Sequence, residues 1–268
     1  MKSKIVLITG CSTGVGFEAA LEFAKAGYKV YATMRNTSKA EKLLAQASLL
    51  NKEINILSID VQDAQSIHNA VEQIMDNDGR IDILVNNAGQ GFIKSVEQAT
   101  EEEIKNLFDI NLYGNIRMVK AVIPYMRAQK SGHIIAISSV GGLVGQPMNE
   151  IYCASKFALE GFYESMATYM TKYFGIKFTI VEPGGIASEF SNTVLSGIMA
   201  NGGFADDEYK QVVDAYISAF RKRGASASQT PADVAAIVLS VAENENPPLR
   251  IHPCKSTQWQ KSAASARK

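Results

Sequence analysis

The chain has 268 residues, 46% of them hydrophobic and 20% charged, and its 27 basic side chains balance its 27 acidic ones. That length suits one α/β domain of the larger kind with ample apolar residues for a core, and the balanced charge leaves no field that would draw nucleic acid or an anionic membrane. Cys11, Cys153 and Cys254 are too scattered for a disulfide framework, and His68, His133 and His252 lack ligand-like spacing, so no metal site is expected.

In chain order, Lys4-Ile5-Val6-Leu7-Ile8 is a β-branched apolar run, the pattern of a strand buried on both faces. The charged start before it leads into a stretch too short for a signal peptide, and nothing later approaches the length that spans a bilayer. Thr9-Gly10-Cys11-Ser12-Thr13-Gly14-Val15-Gly16 follows, and then a helix whose apolar side carries Phe17, Ala20, Leu21, Phe23 and Ala24. Glycines at these positions permit a tight turn and a close backbone approach, and the helix N-terminus offers free N–H groups to a phosphate. The spacing G-x-x-x-G-x-G differs from the common G-x-G-x-x-G fingerprint, so the strand before and the helix after carry the reading.

The second strand, Lys29-Val30-Tyr31-Ala32-Thr33, ends in Met34-Arg35. Folds that bind NAD usually place a carboxylate near this point for the adenosine ribose. Here no carboxylate is available to repel a 2′-phosphate, Arg35 is available to grip one, and Ser12 can add a hydroxyl. Hydrogen bonds to charged groups contribute about 1.5–3 kcal/mol, roughly a ten- to hundredfold preference for NADP over NAD. The competing reading of Arg35 is a solvated surface arginine.

Ile54–Ile59 is the third strand, with a helix around Ala64–Met75, and Ile81–Val85 is the fourth, closed by Asn86-Asn87-Ala88-Gly89. A long helix is predicted over Glu102–Gln129, a fifth strand over His133–Ile137, a helix from Tyr152 to about Tyr173 and a sixth strand over Phe178–Val181. Such alternation predicts a single-domain, Rossmann-like, doubly wound parallel sheet of about seven strands with helices on both faces. Ligands of such sheets bind beyond the strand C-termini, where these motifs cluster.

The densest chemistry lies in Ile151-Tyr152-Cys153-Ala154-Ser155-Lys156, downstream of Ser138-Ser139. A helix puts residues four apart on one face, so phenol and ammonium lean toward the same spot. A free tyrosine titrates near 10, and lowering it by about three units takes roughly 4 kcal/mol. An ammonium about 5 Å away at an effective dielectric near 20 supplies roughly 3 kcal/mol of that. Tyr152 is thus a candidate general acid for carbonyl reduction and a base in reverse. Ser138 and Ser139 compete for a supporting role, and the separation from Tyr152 favours Ser139.

Thr9-Gly10-x-x-x-Gly14-x-Gly16, Asp60-Val61, Asn86-Asn87-Ala88-Gly89, Asn111, Ser139, Tyr152-x-x-x-Lys156 and Pro183-Gly184 occur in the order and approximate spacing of the short-chain dehydrogenase/reductase family, which the chain resembles over essentially its whole length. The stretch from Ser139 to Gly161 is similar to the branch of 17β-hydroxysteroid dehydrogenase type 1 and the retinol-dehydrogenase-like enzymes, and to related bacterial reductases. The resemblance implies that Tyr152 exchanges a proton with the substrate oxygen while Ser139 hydrogen-bonds it. Lys156 would grip the nicotinamide ribose and lower the tyrosine pKa, and Asn111, expected to kink its helix, would hold a water of a proton relay. It further implies that Gly10, Ser12, Thr13, Gly14, Val15 and Gly16 line the dinucleotide phosphates. Asp60 and Val61 would touch the adenine, Asn87, Ala88 and Gly89 the cofactor, and Pro183, Gly184 and Ile186 the nicotinamide. Where the family often has a carboxamide-binding threonine, this chain has Ser188.

Between Ile186 and Thr230-Pro231 runs an excursion with Phe190, Val194, Leu195, Ile198, Met199, Phe204, Tyr209, Tyr216 and Phe220, broken at Asn201-Gly202-Gly203. It reads either as a lid over an apolar substrate, at about 187–228, or as two ordinary amphipathic helices. Gly145-Gln146-Pro147-Met148-Asn149 would form the opposite wall, making Gln146, Met148 and Phe190 substrate contacts beside Ser139 and Tyr152. A last strand is expected at Leu249–Ile251, with the tail around Trp259 and beyond it polar.

The expected protein is an NADP(H)-dependent oxidoreductase interconverting an apolar ketone or aldehyde, steroid- or retinoid-like, and its alcohol. NADPH preference would favour reduction. The family implies a homodimer or homotetramer, and Cys11 and Cys153 inside the site fit a reducing cytoplasm. The alternative is an NADP(H)-sensing binding protein without turnover, which loss of Tyr152 or Lys156 would have favoured.

Overall fold

The computed structural model describes residues 3–186, 196, 199, 203–204, 206–226 (side chains through 219) and 229–253. Strands β1 (Ile5–Ile8), β2 (Lys29–Met34), β3 (Ile54–Ser58), β4 (Ile83–Asn86), β5 (Gly132–Ile137), β6 (Ile176–Val181) and β7 (Arg250–Ile251) form one sheet in the order β3-β2-β1-β4-β5-β6-β7. Every pairing is parallel, as crossover connections through helices require. The chain winds outward from β1 to one edge and then from β4 to the other, so the crevice between the ends of β1 and β4 is the switch point. Asp82 holds this seam from its far end: its carboxylate accepts the Ile5 N–H at 2.8 Å and pairs with Arg80.

Apolar residues on both faces of the central strands bury against two helical layers. On one side α1 (Gly14–Lys25) and α8 (Pro231–Glu243) pack through Phe17, Phe23, Val234 and Val238. On the other, α3 (Ala64–Asp78), α5 (Gly114–Gln129) and α6 (Glu150–Phe174) pack through Ile74, Met118, Val122, Leu159 and Tyr163. Each such large apolar side chain contributes about 1.5–3 kcal/mol by leaving water. Helix α2 (Glu41–Leu49), at the edge, buries only Leu43 and Ala47, too thin a stripe to be read from the sequence.

The helix predicted over Glu102–Gln129 is three pieces: α4 (Glu101–Phe108), a π-helical turn (Asp109–Tyr113) and α5. The widened turn carries Asn111, whose main-chain carbonyl accepts from Asn115 Nδ2 at 3.0 Å, so the α-helical ladder is interrupted at the residue where a kink was expected. Helix α7 (Lys210–Ser226) lies within the excursion. The last strand is two residues long because only Arg250 and Ile251 pair with β6. Ser188, Phe190, Cys254 and Trp259 lie outside the described residues.

Candidate active site

Beyond the C-terminal ends of β1, β2, β4, β5 and β6 opens a cleft of about 1400 Å³. Pockets for single drug-sized ligands run to about 1,000 Å³, so this one has room for two molecules side by side. At its β1 end, Gly10 and Gly14 adopt φ of 72° and 65°, which glycine reaches without strain. Gly16 is required for space: a Cβ there would lie 2.4 Å from Asn87 Nδ2 and 2.5 Å from the Gly10 carbonyl oxygen. Thr13 precedes α1 in extended geometry without capping the helix through its side chain, so the first-turn N–H groups stay open beside Ser12, Gly14 and Val15.

The glycine turn is braced from β4. Asn87 Nδ2 donates to the carbonyls of Thr9 (2.9 Å) and Gly10 (3.0 Å), while Thr9 Oγ1 accepts the N–H groups of Asn87 and Ala88, both at 3.0 Å. Asn87 was expected as a cofactor contact; its amide is also the strut that shapes the turn. Asn86 faces the other way and donates to the buried Tyr163 hydroxyl of α6 at 2.8 Å. Asp60 and Val61, after β3, line the cleft, with Leu107 and Ile110 closing over them from α4 and the π turn. Arg35 is exposed at the end of β2, and no ion pair is present on it among the described residues. Lys39, in the short turn that follows, lines the same corner. It was not anticipated, because four residues after Arg35 in a loop it carries no periodic signal.

At the other end of the cleft, α6 brings Tyr152 and Lys156 beside Ser139. Ser139 hydrogen-bonds the Tyr152 phenol and accepts the Gly141 N–H at 3.0 Å. Lys156 is 5% exposed, donates to the Ile137 carbonyl at 3.0 Å and stands 5.9 Å from the centre of the Tyr152 ring. A Cβ on Gly89 would lie 3.7 Å from its ammonium. Asn111, fully buried, accepts the Gln90 N–H at 2.8 Å and donates to the Gln90 carbonyl at 2.9 Å and to Ser155 at 3.1 Å. Ser155 in turn donates to the Tyr152 carbonyl at 2.7 Å, so Asn111 ties the catalytic helix to the loop after β4.

The electrostatics correct one expectation. Burial depresses Lys156 to about 8, with the Glu160 carboxylate opposing the drop. Tyr152 keeps an edge open to the cleft, yet burial pushes its phenol up to about 12 against the lowering effect of Ser139. The phenol thus lies above its ordinary value and not about three units below it: loss of hydration outweighs the hydrogen bond with Ser139.

Pro183, Gly184 and Ile186 line the cleft after β6, as does Gln146. Met148 does not reach it: at φ 60° it is 2% exposed, its carbonyl accepts the Lys94 N–H, and the next residue, Asn149, forms the wall. Phe92, Ile93, Phe204, Val213, Tyr216 and Ile217 supply an apolar remainder that crosses from the β4–α4 loop to α7. Two side-chain bonds tie those walls together: Gln98 to Asp207 at 2.6 Å, and Tyr209 to Glu97 at 2.6 Å.

A proton donor, an ammonium and a hydroxyl sharing one end of a cleft whose other end is shaped for phosphate are matched at the family level. The family model described as short chain dehydrogenase covers residues 4–198. The chain belongs to that family. It is 40% identical over 253 residues to retinol dehydrogenase 8 of Homo sapiens (92% of this chain, 80% of the relative). It is 34% identical over 256 residues to human 17-beta-hydroxysteroid dehydrogenase type 1 (93% and 77%). A short-chain dehydrogenase from Streptomyces avermitilis superposes with a TM-score of 0.81 at 28% identity, covering 100% of this chain and 94% of that one. Members of the family bind nicotinamide cofactors and interconvert alcohols and carbonyls, and this chain is an oxidoreductase of that kind acting on small molecules. No helix among the described residues is long and apolar enough to cross a membrane, and no cluster of potential metal ligands is found among them.

Proposed function

We propose that the protein is an NADPH-dependent reductase of an apolar ketone or aldehyde, with Tyr152 as proton donor. The observation that carries this reading is the meeting of Tyr152, Ser139 and Lys156 at the end of the cleft opposite the glycine turn. The residues fit a dinucleotide: a glycine turn at Gly10 and Gly14 that lines the cleft with positive φ, an open helix N-terminus for phosphate, and Arg35 with Lys39 where a 2′-phosphate would lie. When bound, the nicotinamide supplies the hydride.

The chain's own groups do the rest. Ser139 donates a hydrogen bond to the carbonyl oxygen, polarising it, and Tyr152 passes its phenolic proton to that oxygen as the alcohol forms. Lys156, protonated at neutral pH, holds positive charge near the phenol and grips the ribose hydroxyls. Asn111 fixes the geometry from the π turn and, with Lys156, starts the path by which Tyr152 regains its proton. The apolar wall from Phe92 to Ile217 favours an apolar substrate with Gln146 as a polar contact, and likeness to retinol and hydroxysteroid dehydrogenases favours a retinoid- or steroid-like one. Ser188 and Phe190 belong to the same reading as carboxamide and substrate contacts. The chain acts as one domain whose 187–228 excursion is a lid, latched by the Gln98–Asp207 and Glu97–Tyr209 bonds. Exposed Tyr113, Phe157, Tyr169 and Tyr173 support a homodimer or homotetramer, and free Cys11 and Cys153 support a reducing cytoplasm.

The test follows NADPH absorbance over a panel of retinoid, steroid and shorter carbonyls. Turnover that is lost in Tyr152→Phe while NADPH still binds supports the reading. NADPH binding with no reduction of any panel member, and so no NADPH oxidised, refutes it in favour of a cofactor-sensing protein, and equal turnover in the variant rejects Tyr152 as the acid.

A further inference from the structure

The β3 end of the cleft carries a polar network that hydride and proton transfer do not use. β3 lies four strand spacings, about 19 Å, from β5, after which Ser139 meets Tyr152, so a dinucleotide with its nicotinamide there puts its base here. Ile59, Val61, Leu107 and Ile110 make this corner an apolar slot suited to a flat ring. Val61 is seated from behind. Arg117 of α5 donates to its carbonyl at 3.2 Å, and Gly114 leaves room for its side chain, since a Cβ there would lie 2.9 Å from Val61 Cβ. On the rim of the slot, Gln62 Nε2 donates to Asn106 Oδ1 of α4 and to Asp109 Oδ2 of the π turn, both at 3.0 Å. Arg117 holds the other Asp109 oxygen at 2.6 Å.

The directions of these bonds fix the chemistry left over. Asp109, in its ion pair with Arg117, offers Gln62 only acceptors, so the Gln62 amide turns its NH2 toward it and spends the second proton on Asn106. Asn106 must then turn its own oxygen toward Gln62. What remains is one acceptor, Gln62 Oε1, beside one donor group, Asn106 Nδ2, on two side chains that line the cleft; neither atom has a partner among the described residues. Adenine carries the complementary set, an amino donor next to a ring-nitrogen acceptor, whereas hypoxanthine puts a carbonyl oxygen where the amino group was. We propose that Gln62 and Asn106, oriented by Asp109 and Arg117, read the base of the dinucleotide and select adenine over a 6-oxo purine. The Gln62 oxygen accepts from the amino group and the Asn106 amide donates to the adjacent ring nitrogen. Against a 6-oxo base the Gln62 oxygen meets a second acceptor instead. A good pair of this kind discriminates between bases by about tenfold or more. This inference rests on the proposed use of the cleft by NADPH.

The test compares NADPH with its reduced hypoxanthine analogue. The two share the nicotinamide and the 2′-phosphate, so contacts at Tyr152, Arg35 and Lys39 cancel in the ratio of their Kd values. Titration of the nicotinamide fluorescence reads both without turnover. Wild type should bind NADPH at least about tenfold tighter, and Gln62→Met and Asn106→Leu should each bring the ratio below about threefold. Asp109→Leu, which keeps both amides, should lower it as well by freeing them to turn over. If Gln62→Met does not fold, Asn106→Leu, at an exposed position of α4, carries the test. Equal affinity of wild type for the two dinucleotides, or a ratio unmoved in the folded variants, overturns the proposal and leaves the proposed function standing. Wild type that binds neither dinucleotide would sink that function, and this inference with it.

Discussion

Replacing Lys156 by methionine should destroy turnover and make the protein more stable. The lysine is buried with its proton affinity depressed from 10.5 to about 8, so the unfolded chain binds that proton more tightly than the folded one. The sign follows from linkage: below about 8 both states are protonated and folding bears the full penalty, which fades as pH rises from about 8 toward 10.5. A shift of that size corresponds to about 3 kcal/mol. Methionine keeps the apolar stem and loses one hydrogen bond, to the Ile137 carbonyl, worth about 1 kcal/mol. The net gain is about 2 kcal/mol, and at about 2–4 °C per kcal/mol for a chain of this size the melting temperature should rise by about 4–8 °C at pH 7. Differential scanning calorimetry of both proteins between pH 6 and about 10 checks it. The advantage should be full at the acid end and shrink on the alkaline side. A variant no more stable than wild type at pH 7, or an advantage indifferent to pH, would refute the claim that the site pays in stability for a buried cation.

Other outcomes follow from the cleft walls. Gly16→Ala should cost about 2–4 kcal/mol and weaken NADPH binding, because its Cβ meets the Gly10 carbonyl and the Asn87 strut, whereas Gly14→Ala, with nothing within 4 Å, should cost about 1–2 kcal/mol from its φ alone. Equal losses in chemical denaturation would refute the distinction. Arg35→Ala with Lys39→Ala should weaken NADPH about ten- to hundredfold and NADH little, read by fluorescence titration; equal losses for both would remove the phosphate clamp. Asp207→Ala with Tyr209→Phe should unlatch α7, raising the KM for the carbonyl with less effect on that for NADPH, and unchanged steady-state constants would refute the latch.

Local signals made the cofactor half of this protein legible. Glycines 10, 14 and 16 after a buried strand, and the Tyr152–Lys156 spacing on a helix, are constraints that act over a few residues, so one dimension records them. The strand alternation likewise announced the parallel sheet, since a crossover must be long and its strand apolar on both faces. What the sequence could not carry was anything settled by residues distant along the chain. Asn87 gripping Thr9 and Gly10, Lys39 joining Arg35, Met148 turning away from the wall it was expected to form, and α7 fastening to the β4–α4 loop all arise from contacts between segments. The charge state of the active site is the sharpest instance. A phenol four residues from an ammonium promises an acidic tyrosine, but only folding sets how much water each group loses, and here burial raises the phenol against the hydrogen bond with Ser139 and lowers the ammonium.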